Sequence, residues 1–427
     1  MSKSRLAGVI ASLLLVLSLF VVLPRLGAQE GLEPRPGETQ EKKEAKDEKI
    51  QKDGKDGLYR PLGLFTEVLS LVRSNYVEPV EMKPLMSGAF AGMTDAMDPF
   101  AEYIPAERMA AFRAAEEAIK KGEVIDSVVV LARRLGYPLV VAAVAGSPSA
   151  KAGLQSDDLI EKIDGRPVHQ VPLWEVRSRL AGKAGARMSV LVVRDGKPRH
   201  RTLNLVLATW SADKPSAQRM SGEMVVRIPD FGPGTAAALK ALVAPFDRTK
   251  PLLVDLRGTA SGDFDEAART AALFVAAGPL GELKGRKVEG RRWAAEPGER
   301  IHESPLILLV DSGTGGPAEL FAAILREGEK AATKSQRKIR LVGEPTFGMG
   351  AVSQVVPLAS GGALRLAVAK VRTVSGRALS PKGLEPDDRV YPVPPDETHG
   401  GPAPLDLILQ RGLKLVAEVS GTTKSAS

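Results

Sequence analysis

The stretch that decides the fold is P-L-I-L-L-V-D-S-G-T-G-G-P-A-E-L-F, which runs from Pro305 to Phe321. Its first half is an unbroken apolar run, which is typical of a strand buried on both faces of a parallel sheet. A glycine-rich turn follows, and Pro317 then opens a helix, because proline is well tolerated in a first helical turn. The carboxylate of Glu319 suits the positive end of that helix dipole. The stretch therefore predicts a strand, a turn and a helix in succession.

The same alternation continues upstream of this stretch. Segments of high apolar content alternate with segments of helical periodicity, which is typical of an α/β core. The predicted strands are Glu223–Phe231 and Pro251–Gly258, and the predicted helices are Thr235–Phe246 and Phe264–Val275. We expect this α/β core to occupy residues 211–395 of a multidomain α+β chain.

The region before the core falls into two parts. Residues 58–122 predict an N-terminal helical segment, with a third helix after Pro105. Residues 123–210 read as short strands with one helix, and Asp-Gly pairs at Asp164 and Asp195 predict hairpin turns. The apolar positions at helical spacing in the first part are Leu62, Phe65, Leu69 and Val72, then Leu85, Ala89, Met93 and Met97.

The two ends of the chain differ from the rest. Lys3 and Arg5 precede an apolar run from Leu6 to Leu23, so residues 1–28 are either a cleaved signal peptide or a retained membrane anchor. Residues 29–57 form a charged linker that cannot build a core. Both alternatives place the remainder in the periplasm or another extracytoplasmic space, and a retained run would attach it to the inner membrane. Residues 396–427 predict a C-terminal helix and tail, with the helix over 404–419.

Composition excludes several classes of function. The chain has no cysteine, which rules out disulfides and thiolate chemistry. Its 4 histidines are far apart and lack spaced carboxylate partners, so we expect no metal site and no cofactor. The net charge of +8 is scattered, and aromatic residues make up only 4% of the chain. A nucleic-acid partner is therefore not expected.

Several motifs, taken together, resemble one peptidase family. The turn of Val310–Phe321 and the run G-E-P-T-F-G-M-G at Gly343–Gly350 are similar to the catalytic segments of the carboxyl-terminal processing (tail-specific) serine peptidases. The run A-G-S-P-S-A-K-A-G-L (Ala145–Leu154), together with the short strand patterns that follow it, resembles a PDZ domain over residues 123–210. The resemblance covers Leu58–Val419 in the family's motif order. It implies a crotonase-like core, and a polypeptide or protein C-terminus as the partner.

The resemblance also implies where the catalytic residues should be. The family's nucleophilic serine falls on Gly316, and its general-base lysine falls on Met349. The glutamine that orients that lysine is displaced by one residue to Gln354, which on a strand would point to the opposite face. The glycine pair of the oxyanion wall appears as Ser261 and Gly262. Because glycine cannot attack a carbonyl and a thioether exchanges no proton, we expect the peptidase chemistry to be lost.

The peptide-binding loop of the PDZ domain aligns with Asp126, Ser127 and Val128, followed by Val129. The family has glycine at the first and third of these positions, and a carboxylate at Asp126 would repel a peptide carboxylate. One interpretation is therefore a PDZ domain that packs against its neighbours and binds no terminus. The other is a domain that still captures peptides.

Two hypotheses for function remain. The first is an inactive family member that binds polypeptides, an active peptidase or another cell-envelope protein. The second is an active serine endopeptidase with a relocated nucleophile, cleaving near protein C-termini. The candidate nucleophiles are Ser312, Thr314 and Ser353, and the candidate bases are Lys334 and Lys370.

Overall fold

The computed structural model describes residues 57, 59–195, 199–331, 338–379, 381–392 and 405–424. The chain divides into two compact units, residues 1–81 and 82–427. The predicted signal or anchor at 1–28 and the linker up to residue 56 lie outside the described residues. Among the residues that the structure describes, no helix is both long and apolar enough to cross a membrane.

The predicted N-terminal helices are present, but their apolar stripes are only partly covered. In the first unit, helix α1 spans 59–75, and Leu62 on its stripe is 49% exposed. In the second unit, Met93 and Met97 on the second stripe are 51% and 61% exposed. The helices of the second unit are α2 (Met82–Asp95), α3 (Met109–Lys120), α4 (Pro148–Lys151), α5 (Leu173–Arg179), α6 (Thr235–Val243), α7 (Phe264–Ala272), α8 (Pro317–Ala331) and α9 (Leu407–Lys424).

A small β-domain follows α3. Its main sheet has the order β3-β4-β5-β8-β9, so β3 is an edge strand, and α5 packs beside it. The predicted turn at Asp164 is present, because Asp164 and Gly165 both have positive φ, as a two-residue type I′ hairpin requires. Gly196 of the other predicted turn lies outside the described residues. The strands are β2 (Ile125–Asp126), β3 (Val129–Arg134), β4 (Tyr137–Ala143), β5 (Leu159–Ile163), β6 (Arg166–Pro167), β7 (Ala181–Gly182), β8 (Arg187–Val193) and β9 (His200–Val206).

The predicted α/β core is a six-stranded sheet with the order β10-β11-β12-β15-β16-β19, parallel except for β10. Alternate residues of each central strand enter different cores. Val254 and Leu308 pack with α6, α7 and α8, whereas Leu253 and Ile307 pack with α9. Burial on both faces explains the unbroken apolar runs. The strands are β10 (Ser216–Met220), β11 (Glu223–Arg227), β12 (Leu252–Asp255), β15 (Leu306–Val310), β16 (Ile339–Gly343) and β19 (Asp388–Arg389).

The sequence did not predict a further sheet, which has the order β1-β18-β13-β14 with β17 paired to β18. Every pairing in it is antiparallel, and β1 comes from the segment that was predicted to be helical throughout. Helix α9 also runs five residues past its predicted end at Val419, to Lys424. The mixed helix and sheet class is confirmed. The strands are β1 (Glu102–Ile104), β13 (Gly278–Gly285), β14 (Arg291–Ala295), β17 (Ala351–Pro357) and β18 (Ala363–Thr373).

Candidate active site

A cavity of about 620 Å³ lies where the small β-domain, the segment before β1 and the antiparallel sheet meet. This volume is within the range of about 300–1,000 Å³ that is usual for ligand sites. We call it the central cavity. It is lined by Met97–Phe100 and Glu102, by Asp126, Val128–Leu131, Val144, Leu173, Trp174 and Arg177, and by Ser261, Phe347–Ala351, Ser353, Arg365, Ala367, Lys370, Leu379 and Pro381.

The predicted nucleophile and base positions lie against each other. Gly316 sits at the turn between β15 and α8 with φ +52°, the left-handed conformation. A Cβ atom on Gly316 would lie 3.7 Å from Cβ of Met349, and a Cβ atom on Gly315 would lie 3.0 Å from the Met349 sulfur. Met349 lines the central cavity, whereas Gly316 is buried and does not. The Met349 side chain therefore covers the turn.

The neighbours of Met349 are apolar. It packs in a cluster with Ala260 of the core, with Val130 and Ala132 of the small β-domain, and with Phe347. The cluster joins the small β-domain to the core at the predicted base position. Such an environment suits a thioether and disfavours an ammonium ion, since burial of a charge among apolar groups is costly.

The turn offers no backbone donor for an oxyanion. The N–H of Gly315 donates to the carbonyl of Thr259, and the N–H of Gly316 donates to the carboxylate of Glu319. Pro317 has no N–H, and the N–H of Ala318 is directed back at Gly315. In serine hydrolases the residue after the nucleophile commonly supplies such a donor, which stabilises the charge of the transition state. Here that residue is Pro317.

The oxyanion wall predicted at Ser261 and Gly262 is beside the cavity. Ser261 lines the cavity, and its hydroxyl donates to Asp230 Oδ1 at 2.5 Å. Gly262 has φ +114°, and a Cβ atom there would collide with the backbone of Phe231. Only glycine fits this second position.

Glu319 organises the loop around the predicted site. It is fully buried and accepts N–H bonds from Gly316 (2.9 Å), Gly348 (2.7 Å) and Met349 (2.7 Å), and a hydroxyl bond from Thr346 (2.5 Å). Its bond to Gly316 is the backward half of a capping box at the start of α8. Burial raises the pKa of Glu319, and the bonds from Thr346 and the backbone oppose that rise. The residue therefore ties the turn of β15 to the loop that carries Met349.

The two residues near the predicted glutamine position differ in their access to the central cavity. Ser353 and Gln354 are both exposed, but only Ser353 lines the central cavity. An irregularity in the pairing of β17 with β18 falls here, where Val352 pairs with Ala369 but Ser353 pairs with Ala367. The extra residue on β18 is a β-bulge, which re-aims side chains.

The alternative nucleophiles differ in their access to the cavity. Thr314 is fully buried, and its hydroxyl donates to the carbonyl of Leu256 and bonds Asp311. Ser312 does not line the cavity, but Ser353 does. Of the alternative bases, Lys334 lies outside the described residues, and Lys370 lines the cavity but is exposed. A lysine acts as a base when burial makes its ammonium unfavourable, and Lys370 lacks that burial.

The predicted peptide-binding loop lies at one end of the cavity. Asp126 is paired with Arg177, which donates through Nη2 at 2.7 Å and Nε at 3.2 Å, so its charge is neutralised and the expected repulsion is weakened. Val128 has φ +58°, a conformation that is strained for a β-branched residue and natural for glycine. Ser127 is fully buried and does not line the cavity, whereas Val129 begins the edge strand β3 and does.

Three carboxyl groups that do not line the central cavity influence one another: Glu344, Asp311 and Asp157. Burial and the neighbouring charge of Asp311 raise the pKa of Glu344 to about 7, with a smaller contribution from Asp157 of the small β-domain. Burial raises the pKa of Asp311 as well. Over the part of the chain that the structure describes, no group of three or more metal-ligating side chains could hold an ion. The expectation of no cofactor stays a prediction.

Several lining residues were not predicted from the sequence, among them Trp174, Arg365 and Glu102. Trp174 and Arg365 line the cavity from α5 and β18, and Glu102 joins them, because it accepts the backbone N–H of Trp174 at 3.1 Å and lies 3.6 Å from Arg365. Burial raises the pKa of Glu102, and the charge of Arg365 opposes that rise. No local pattern marks these residues, since the contacts join segments that are far apart in the chain.

Comparison with known proteins agrees with the two predicted domains, the α/β core and the small β-domain. Residues 224–390 match the model of peptidase family S41, and residues 139–194 match a PDZ domain. The carboxy-terminal-processing protease of Bartonella bacilliformis is 27% identical over 359 residues, covering 82% of this chain and 80% of the relative. The carboxy-terminal processing protease CtpA of Bacillus subtilis is 27% identical over 325 residues, covering 74% of this chain and 66% of the relative.

A solved structure shows the same fold. The photosystem II D1 C-terminal processing protease superposes with a TM-score of 0.59 at 23% identity, covering 77% of this chain and 86% of that chain. The resemblance to carboxyl-terminal processing peptidases with a PDZ domain is confirmed. The predicted small β-domain is a PDZ domain.

Proposed function

Because the chain carries a peptidase family S41 domain and a PDZ domain, we propose that it binds polypeptide segments in the central cavity without cleaving them. The observation that carries this proposal is the closeness of Gly316 to Met349, since a Cβ atom added to Gly316 would lie 3.7 Å from Cβ of Met349. This geometry would suit a nucleophile and its base, yet neither residue can attack a carbonyl or accept a proton. The loss of the donor at Pro317 supports the same proposal.

Polypeptide binding is supported by the shape and strand order of the site. The edge strand β3 lies beside helix α5, and Val129 and Leu131 of that strand and Leu173 of the helix line the cavity. An extended peptide can add to such an edge through backbone hydrogen bonds while its side chains enter apolar pockets. The pairing of Asp126 with Arg177 supports capture of peptides over a PDZ domain that binds none.

The site of action that we propose is outside the cytoplasmic membrane, in the periplasm or an equivalent space. The observation behind it is the basic start followed by the apolar run Leu6–Leu23. A phosphatase fused after Ser427 should be active only if it is exported. Activity of a cytoplasm-dependent reporter at the same position would contradict export. Pull-down from envelope extracts would identify the partner, which can be a substrate, an active peptidase or an envelope protein.

The experiment that tests the function measures binding and cleavage on the same reporter. Purified protein is titrated against fluorescein-labelled, carboxymethylated lactalbumin, which is permanently unfolded, and polarisation and fragment release are followed together. We expect saturable binding without fragments. Ala367→Trp should fill the cavity and abolish binding, because Ala367 lines it, while Ala237→Trp on the exposed face of α6 should not. Equal binding by both variants would contradict the proposal.

A second candidate function is supported by one observation. Ser353 and Lys370 both line the central cavity, from paired strands. A serine peptidase with this relocated pair would label with a fluorophosphonate, and Ser353→Ala would remove the label. Because Lys370 is exposed, we expect no labelling of the wild-type protein.

A further inference from the structure

The antiparallel sheet gathers positive charge on the side that faces away from the core. Along β13 and β18, residues such as Leu283 and Val371 are buried in the core, and their neighbours in the chain point to the opposite side. We call this side the basic face. On strands β13, β14 and β18 its charged residues are Glu282, Lys284, Arg292, Lys370 and Arg372.

The turn between β13 and β14 extends the basic face. Arg286 and Lys287 are exposed in this turn, and its one carboxylate is that of Glu289. On the strands, the carboxylate of Glu282 lies 3.6 Å from Arg292, whose side chain is still 89% exposed. So exposed an ion pair is weak and leaves the guanidinium open to solvent. Cations therefore predominate over the whole surface.

Two of these cations lie directly opposite each other. Lys284 of β13 pairs in register with Lys370 of β18. Side chains at such positions have Cβ atoms about 4.5–5.5 Å apart, and like charges there are destabilising. Among the described residues, neither lysine has a carboxylate within the 4.0 Å of an ion pair. The fold thus keeps an unfavourable pair of charges at its surface, which an external anion would stabilise.

The composition of the basic face favours a lipid surface over a protein partner. Protein interfaces are built around aromatic anchors and are depleted of lysine. The three described strands offer no such anchor on this face, because Trp293 of β14 packs against the core on the other side. Lipid headgroups need no pocket, since their charge is spread over a plane that long lysine side chains can reach.

We propose that the basic face binds the surface of a bilayer that contains anionic phospholipid. This contact does not depend on peptide binding, so it goes beyond the function proposed above. Its consequence for that function is one of position: Lys370 also lines the central cavity, so the cavity would open beside the lipid headgroups. Export of the chain, as proposed from the apolar run Leu6–Leu23, would bring the folded part to such a surface.

The test uses the full-length protein with a fluorescent label on the basic face. Because the chain has no cysteine, a single introduced cysteine accepts an environment-sensitive label at one position. Ala294→Cys places it two residues from Arg292 on the basic face, and Ala237→Cys places it on the exposed face of α6. Each labelled protein is titrated with vesicles of phosphatidylcholine alone, or of phosphatidylcholine and phosphatidylglycerol in equal parts.

We expect the label at residue 294 to respond to the vesicles that contain phosphatidylglycerol and not to phosphatidylcholine alone. The label at residue 237 should respond to neither. The response at residue 294 should fall as added salt screens the charges of the exposed lysines and headgroups.

A charge reversal separates membrane binding from effects on folding. Lys284→Glu should form an ion pair with Lys370, and it should therefore raise the melting temperature. Since each cation near an anionic bilayer contributes about fivefold in binding, exchanging one for a carboxylate should weaken vesicle binding roughly 25-fold. Lys240→Glu, which reverses an exposed charge on α6, is the matched control and should leave vesicle binding unchanged.

Unchanged vesicle binding by Lys284→Glu overturns the inference, as does an equal response of the label at residue 294 to both lipid compositions. A response of this label to polyglutamate but not to phosphatidylglycerol vesicles also overturns it, because the partner of the basic face would then be an acidic polypeptide. Peptide binding is measured separately on the lactalbumin reporter, so failure of this inference leaves the proposed function intact.

Discussion

Restoring the catalytic residues should be tolerated by the fold, at a cost that the structure bounds. Serine at Gly316 would have ordinary contacts, the nearest at 3.7 Å, but the left-handed φ of +52° costs about 1–2 kcal/mol for a residue with a Cβ atom. Lysine at Met349 places an ammonium among Ala260, Val130 and Phe347, at about 1–3 kcal/mol. The sum of roughly 2–5 kcal/mol is below the typical stability of 5–15 kcal/mol for a folded protein. We therefore expect Gly316→Ser with Met349→Lys to fold at a lower melting temperature.

The activity of this double variant should remain weak for a reason that can be tested. Its nucleophile and base are restored, but Pro317 gives no N–H and the N–H of Gly316 is held by Glu319. Adding Pro317→Ala supplies a donor next to the nucleophile. Since one oxyanion donor contributes about 10²–10³ in rate, the triple variant should cleave about that much faster than the double variant.

The assay is fragment release from the unfolded lactalbumin reporter, with circular dichroism melts of each variant. The matched control carries Gly316→Ala with the other two changes, and it should be inactive because it lacks the hydroxyl. A double variant as fast as the triple would refute the argument about Pro317. Activity of the alanine control would show that the restored serine is not the nucleophile.

Further predictions concern stability. The pKa of Glu344 is raised from 4.5 to about 7 in the folded protein, so the folded state holds this proton more tightly than the unfolded state. The resulting contribution to the free energy of unfolding is complete below pH 4.5 and is lost as pH rises through 7. Urea titrations should show that the free energy of unfolding of the wild-type protein falls by about 1–2 kcal/mol across this pH window, a figure reduced because Glu344 is partly exposed, and that Glu344→Gln removes this fall. Parallel plots of unfolding free energy against pH for the two proteins would contradict the prediction. Glu319→Gln turns an amide group toward backbone donors and should cost at least about 2 kcal/mol in the same titrations, whereas an unchanged midpoint would refute its role in the loop. Val128→Gly should raise the melting temperature by relieving a left-handed φ of +58°, while Val129→Gly in β3 should lower it; the reverse order would mean that Val128 is not strained.

The parts of the fold that the sequence predicted are those with a strong local pattern. The run at Leu306–Val310 is apolar at every position because the strand is buried on both faces, and the turn before Pro317 follows from proline chemistry. The antiparallel sheet was missed because β13 and β18 pair across the chain and carry irregular glycine and charged positions.

For the candidate site, the sequence indicates only those features that a residue type alone decides. Gly316 and Met349 could be identified by motif order, and their contact required the fold. The ion pair of Asp126 with Arg177 joins residues 51 positions apart, so sequence reasoning saw only an isolated carboxylate. The access of Lys370 to the cavity depends on a β-bulge that has no signature in the sequence. Such long-range placements come from tertiary structure and not from local pattern.

The central claim, that this chain binds polypeptides and does not cut them, is tested most directly by turnover of the unfolded reporter with the wild-type protein. The measurement is made beside Ser312→Ala, Thr314→Ala and Ser353→Ala, at protein concentrations that saturate binding. We expect the wild-type protein to bind the reporter and to release no fragments over many hours, and we expect no fragments from any of the three variants. Robust wild-type turnover that one of the three substitutions abolishes would contradict the account and identify a relocated nucleophile.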